Sequence, residues 1–419
     1  MLLLASEMGE APKPHVDTSS KHPAWERWSV MRSRLPSGAP FAALLAALLV
    51  AGLFSLRLIP VYAPLWGLDF QNVYAFQTCE EAQGANLYSV SGEVCGDERG
   101  RAFRYPPALF QSFSWVEWFT FAQALAIWNA VMVILMIGIG MMWLWLDRRS
   151  HSGWRRPALV LFWLALMTQF PFAFAMERSN NDIIPVALWT GVVGLFVWRR
   201  YVFSGGFAGL AIALKVYPVV AAATVVAGMI RPRWTMFGRF VLGGVAGGLL
   251  ASVFWWDDTV RYITEILPAF ANRTPSPSVI SHPLQALGLP APVAAGIVLT
   301  FFGSWVVASW RRLHHDPLLV FAGVLAISTY YSTVSWDYNL ITTYPLLLVV
   351  TARALNPEYS NAWKVASFAS VLVIVSGRGL FTPLGQLLFQ AAVLTGIAWL
   401  VIFDRESPGT SNSVIHAER

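Results

Sequence analysis

The 419-residue chain is 56% hydrophobic and 14% aromatic but only 12% charged, with mean hydropathy +0.54. That balance excludes an ordinary water-soluble domain, and apolar runs near the length of a hydrocarbon core of about 30 Å make the chain a polytopic helical membrane protein. The excess of +6 and the pI of 9.4 call for no nucleic-acid partner, because membrane topology and anionic lipid headgroups account for them.

In chain order, residues 1–40 form a basic cytoplasmic arm. The first apolar stretch, Phe41 to Ile59, follows that arm and lacks a cleavage site, so it reads as a retained signal anchor. Further spans are expected near 122–146, 158–176, 183–198, 238–255, 291–310, 317–334, 339–352, 363–377 and 382–403. Residues 202–230 are ambiguous. As one helix they would put Arg231, Arg233 and Arg239 on the side opposite Arg148, Arg149, Arg199 and Arg200, against the bias of basic residues towards the cytoplasm. Pro218 resolves the conflict: it disfavours helix at Tyr217 and suits the first turn of a new helix, which leaves two short legs with Lys215 near the outer turn. The expected fold is then an all-α transmembrane bundle of about twelve spans, a single domain over 41–403, with both termini and the tail 404–419 in the cytoplasm.

Two long outer segments result, near 60–107 and 256–290, whereas the inner connections are short and basic. Cys79 and Cys95, the chain's two cysteines, both fall in the first. In an oxidising compartment they read as a disulfide closing a loop of about fifteen residues, worth about 3 kcal/mol by chain entropy; the alternative is two unrelated buried thiols. No Cys/His spacing points to a metal, and no cofactor is expected.

The outer face also collects the unusual polar residues. Tyr105-Pro106-Pro107 precedes the second span, Arg178-Ser179-Asn180-Asn181-Asp182 the fourth, Lys215-Val216-Tyr217-Pro218 the sixth and Ser335-Trp336-Asp337-Tyr338-Asn339 the tenth. Helix N-termini beside an Arg or Lys make phosphate sites, so the set suits an anionic headgroup. Plainer readings stand beside this one. Asn180, Asn181, Asp182 and Asp337 read equally as helix caps, Arg178 as a partner of Glu177 or Asp182, Lys215 as a snorkelling cation, and His282 as a solvated loop residue. Most tryptophans belong to the interfacial belt, although Trp66 and Trp336 could line a sugar site. Asp69, in Trp66-Gly67-Leu68-Asp69-Phe70, is the carboxylate with the fewest structural duties. An acid placed where the chain leaves the bilayer can serve as a base at the lipid surface.

The segments Asp69-Phe70-Gln71-Asn72-Val73-Tyr74, Asn86-Leu87-Tyr88 and Phe103-Arg104-Tyr105-Pro106-Pro107, with the three later motifs, resemble the membrane-embedded GT-C glycosyltransferases. The similarity is greatest to family 87, the polyprenyl-phosphate-mannose-dependent mannosyltransferases, and it spans most of 41–403. It implies an inverting transfer of a sugar, mannose in that family, from a polyprenyl-phosphate donor to a lipid or glycan acceptor outside the cell membrane. Asp69 is then the general base. Arg178, Lys215, Tyr217, Asn181 and Arg104 would hold the donor phosphate; Tyr74, Tyr105, Asp182, His282, Trp336, Asp337 and Tyr338 would contact sugar or acceptor. The chain departs from the pattern at Tyr338-Asn339, where relatives can carry a histidine. Rival readings are a lipid or glycan flippase, which predicts an internal repeat the sequence does not show, and a glycan ligase of similar architecture.

Overall fold

A computed structural model describes residues 39–58, 67–80, 82, 87–97, 103, 105–147, 154–230, 234–271, 284, 288–331, 337–357, 359–375 and 383–403. Most of the N-terminal arm and all of the tail from 404 lie outside the described residues. Every regular element among them is helical: α1 (Ala39–Leu58), α2 (Leu68–Gln77), α3 (Pro107–Ser112), α4 (Phe121–Leu146), α5 (Arg155–Met167), α6 (Phe170–Arg178), α7 (Ile183–Val197), α8 (Tyr201–Leu214), α9 (Pro218–Met229), α10 (Trp234–Ser252), α11 (Ala291–Arg312), α12 (Pro317–Ser328), α13 (Tyr344–Leu355), α14 (Asn361–Val375) and α15 (Pro383–Phe403). Residues 1–43 cluster as a unit of their own, of which only the start of α1 is described. Residues 44–419 form the second unit, which holds everything discussed below.

Three helices among the described residues are long and apolar enough to cross a membrane, within 121–146, 234–269 and 292–312; the bent pair α5–α6 makes a fourth if it is one span. Shorter apolar helices accompany them, α7, α8, α9 and α12 included. Where hydropathy reads a span over 158–176, the chain bends by 50° between α5 and α6. Gln169 occupies the break: its side-chain Nε2 donates to the carbonyl oxygens of Ala165 and Leu48, each at 2.8 Å. A polar side chain that supplies partners to nearby backbone groups makes such a break tolerable in an apolar setting.

The split of 202–230 appears as expected. Helix α8 stops at Leu214, Lys215 is extended (φ −149°, ψ 133°), and Pro218 opens α9. The expected span 122–146 appears as α4, behind a reciprocal cap between Thr120 and Gln123. Two other features differ from expectation. Tyr105-Pro106-Pro107 opens only the six-residue α3, not that span. The segment after residue 255 is not simply loop, since helical structure runs unbroken from Trp234 to Ala269 and includes a π-helical turn at Tyr262–Ile266. An α-helix of 36 residues would be about 54 Å long, more than a hydrocarbon core of about 30 Å needs. Hydropathy marks where apolar composition ends, and a helix can continue past it.

Packing follows side-chain size. α8 and α10 meet through glycines: a Cβ on Gly205 would lie 1.9 Å from the Phe240 carbonyl oxygen, and one on Gly243 would lie 1.9 Å from that of Val202. Small residues let helix backbones approach where lipid supplies no hydrophobic drive. Elsewhere the core is aromatic, and several of its large indoles have a hydrogen-bond partner. Trp143 Nε1 donates to Thr190 Oγ1 at 3.0 Å, Trp163 Nε1 to the Met136 carbonyl at 3.0 Å and Trp189 Nε1 to that of Phe321 at 3.1 Å. These bonds tie α4 to α5 and α7, and α7 to α12.

Candidate active site

Five segments of the chain converge on one cluster. Gly67 precedes α2 at φ 70°, a conformation that costs glycine little, and its N–H donates to the Glu177 carbonyl oxygen at 2.6 Å. This bond docks the start of α2 on the end of α6. Asp69 thereby sits in the first turn of α2, where the helix dipole favours an anion.

Helix α6 ends in a Schellman arrangement, with Asn180 N–H on the Ala175 carbonyl at 2.9 Å and Ser179 N–H on that of Met176 at 3.1 Å. The residue that turns the chain is Ser179, at φ 51°, in the left-handed region usually left to glycine. Its neighbours hold it there. Ser179 Oγ donates to Asn129 Oδ1 at 2.8 Å, and its carbonyl accepts from Trp128 Nε1 at 3.1 Å. The 179–182 loop is therefore fixed from α4 before any functional contact is considered.

From this loop Asn180 reaches two carboxyl-bearing residues. Its Nδ2 donates to Asp69 Oδ2 at 2.8 Å, while its Oδ1 accepts from the backbone N–H of Asp182 at 2.8 Å. Arg178 Nε lies 4.0 Å from Asp69 Oδ1. On the other side, Lys215 Nζ is 3.1 Å from Asp182 Oδ1, and Asn339 Nδ2 donates to Asp182 Oδ2. The Lys215 ammonium also stands 4.9 Å from the ring centre of Tyr105, whose carbonyl accepts from Tyr88 Oη at 2.7 Å. The break at Lys215 is what delivers this cation: an extended residue between two helices can turn its side chain into the cluster.

The two acids differ in setting. The Asp182 side chain is fully buried, whereas that of Asp69 is 12% exposed, beside Arg178 at 11% and Lys215 at 16%. Burial pushes the Asp182 carboxyl above the usual carboxylate range, and the Lys215 ammonium opposes that push. Asp182 immediately precedes α7 but makes no capping bond, so its carboxylate serves the ion pair and not the helix. Two further buried atoms, Tyr217 Oη and Asn181 Oδ1, have no protein hydrogen-bond partner among the described residues. Buried polar atoms are normally satisfied, which sets these two apart.

The structure thus brings together Asp69, Arg178, Asp182, Lys215 and Tyr105, with Asn181 and Tyr217 flanking them in the chain. Tyr74 is engaged elsewhere: its hydroxyl donates to the Phe119 carbonyl at 3.0 Å and its ring packs 5.3 Å from Phe121. Arg104, His282 and Trp336 lie outside the described residues. So do the side chains of Asp337 and Tyr338, whose backbone forms the start of a short 3-10 helix, Asp337–Thr343, that leads into α13. Cys79 and Cys95 are joined by a disulfide, Cα to Cα 5.1 Å, and Asn72 Nδ2 ties the same loop to α2 by donating to Asp97 Oδ2 at 2.6 Å. Among the described residues no group of three His, Cys, Asp or Glu could hold a metal ion. Asn180 and Asn339 are the residues that sequence reasoning passed over, because an asparagine before a helix reads first as a cap.

A cluster with one part-exposed acid, two cations and a tyrosine hydroxyl that lacks a protein partner among the described residues can take a proton and hold an anion. No curated protein and no solved structure matches the chain. The profile of glycosyltransferase family 87 matches residues 103–335, which include Tyr105, Arg178, Asn180, Asp182, Lys215 and Tyr217 but not Asp69 or Asn339. That match covers more than half of the chain, and with the all-helical, apolar fold it makes this protein a membrane-embedded member of glycosyltransferase family 87.

Proposed function

We propose that the protein moves a sugar, mannose by family resemblance, from a polyprenyl-phosphate carrier to a lipid or glycan acceptor at the outer face of the cell membrane. The acceptor hydroxyl attacks the anomeric carbon as the carrier phosphate departs from the opposite side, so the transfer inverts that centre. The observation that carries the base assignment is the contrast between Asp69 and Asp182. Asp182 is wholly buried and committed to Lys215 and Asn339, whereas Asp69 keeps some exposure at the start of α2. Asp69 takes the acceptor's proton, and Arg178 and Lys215 offset the charge that develops on the leaving phosphate. Tyr217 Oη offers a hydrogen bond to the donor, and Asn181 Oδ1 accepts one from a donor hydroxyl. In this reading about twelve spans place both termini in the cytoplasm, and flipped carriers present their sugar outside, where nucleotide sugars are absent.

The test is turnover of polyprenyl-phosphate-mannose by the purified full chain, read as release of free polyprenyl phosphate. Asp69→Asn keeps the shape and removes the basicity, so the rate should fall by about 10² or more while donor binding survives. Near wild-type turnover in Asp69→Asn, with Glu177→Gln or Asp182→Asn inactive, would mean that the base is another acid. Orientation is checked separately: a cysteine at Val216 should react with a membrane-impermeant reagent added outside, and labelling only from the cytoplasmic side would reverse it.

A further inference from the structure

Asn180 stands between the two acids, and its side chain joins them instead of capping a helix. The residue is 1% exposed, and both ends of its amide are in use. The acceptor end is fixed by chemistry: a backbone N–H can only donate, so the atom facing Asp182 N at 2.8 Å must be the amide oxygen. The nitrogen is then obliged to face Asp69, where it donates to Oδ2 at 2.8 Å. The backbone that presents Asn180 is held in turn by the Schellman bonds of α6 and by the Ser179 contacts to Trp128 and Asn129.

We propose that Asn180 is a positioning residue for the transfer: it sets the orientation of the Asp69 carboxylate. This rests on Asp69 as the base. A donor bonded to one oxygen of a carboxylate restricts rotation of the group. The same amide links the base to the Asp182–Lys215 pair, because the N–H that orients it belongs to the residue whose carboxylate holds the ammonium. The proton acceptor and the phosphate-binding cation are thereby kept in one register, as a single displacement with attack and departure on opposite sides requires.

The experiment compares Asn180→Ala and the near-isosteric Asn180→Asp with wild type and Asp69→Asn, using the purified full chain and polyprenyl-phosphate-mannose. Both Asn180 variants should lower kcat by roughly 10-fold or more with donor KM changed little, the loss expected for one hydrogen bond to a charged group. A purely structural role would lower the yield of folded protein and leave the kcat of what remains unchanged. Wild-type kcat in both Asn180 variants, with Asp69→Asn inactive, would overturn this assignment alone. An active Asp69→Asn would overturn the base and this inference with it.

Discussion

Lys215 and Asp182 form an ion pair, Nζ to Oδ1 3.1 Å, in which the carboxylate side chain has no exposure at all. Breaking such a pair from one side leaves an uncompensated buried charge, which typically costs about 3–5 kcal/mol. Lys215→Met should therefore destabilise the protein by about that amount in detergent, and the double variant Lys215→Met/Asp182→Asn should recover much of the stability and none of the activity. The pH dependence follows from the direction in which burial moves Asp182. A raised carboxyl binds its proton more tightly in the folded than in the unfolded chain, so stability falls as pH rises from the unfolded carboxylate value, about 3.9, towards the folded one. Without Lys215 the folded value rises further, so the Lys215→Met defect should be greatest at neutral pH and ease as the pH is lowered. Thermal unfolding midpoints across pH check this, and a defect independent of pH would show that Asp182 is not the charge left behind.

Arg178 separates two roles that lie close in space. Its Nε is 4.0 Å from Asp69 Oδ1, and its guanidinium stands 5.6 Å over the ring of Phe174. If it holds the donor phosphate, Arg178→Gln should weaken donor binding by about 1.5–3 kcal/mol, roughly 10- to 150-fold, whereas Asp69→Asn should not. Equilibrium binding of the carrier lipid to both variants makes the comparison. A fall in kcat with donor affinity unchanged would assign Arg178 to the support of Asp69 instead.

The sequence carried those features of the site that depend on neighbours along the chain. Pro218 announces the break that frees Lys215 from the helix, and the two cysteines, close together in one outer segment, announce their bond. What it concealed depends on partners far away. Asn180 meets Asp69 across 111 residues and Asn339 meets Asp182 across 157, so neither contact leaves a local pattern. The bend at Gln169 sits inside an apolar run and depends on the carbonyl of Leu48, on a different helix. The helical stretch beyond Trp255 was hidden for the opposite reason: its polar residues, Asp257 and Asp258 among them, mimic a loop.

Ser179 provides a test of how far the site depends on backbone shape. A residue other than glycine held in the left-handed region typically costs about 1–3 kcal/mol, which its bonds to Asn129 and the Schellman turn offset here. Ser179→Gly should keep the turn, losing the hydroxyl bond but relieving the strain, and stay within about 1 kcal/mol of wild type with measurable transfer. Ser179→Val, β-branched and without a donor, should shift Asn180 away from Asp69 and abolish transfer even in preparations that remain folded. Equal activity of the two variants would show that the loop geometry is not what holds the site together.

The seam between α8 and α10 makes the sharpest demand on residue size, and its glycines are not equivalent. A Cβ on Gly209 would lie 2.0 Å from the Gly244 carbonyl oxygen and 2.7 Å from the Gly248 nitrogen, both backbone atoms that cannot swing aside. On Gly206, one turn away on the same helix, the nearest atom would be the Gly243 carbonyl oxygen at 3.7 Å, an ordinary contact. Helix propensity favours alanine over glycine equally at both positions, by about 1 kcal/mol, so any difference between them reports packing alone. Gly206→Ala should therefore be neutral or slightly stabilising. Gly209→Ala must push α8 and α10 apart and should cost at least the roughly 1–3 kcal/mol typical of overpacking, seen as a lower unfolding midpoint and loss of monodisperse protein. Because α8 runs straight into Lys215, displacing it should also lower transfer in whatever Gly209→Ala protein survives; equal midpoints and equal activity in the two variants would mean that α8 and α10 do not pack through these glycines.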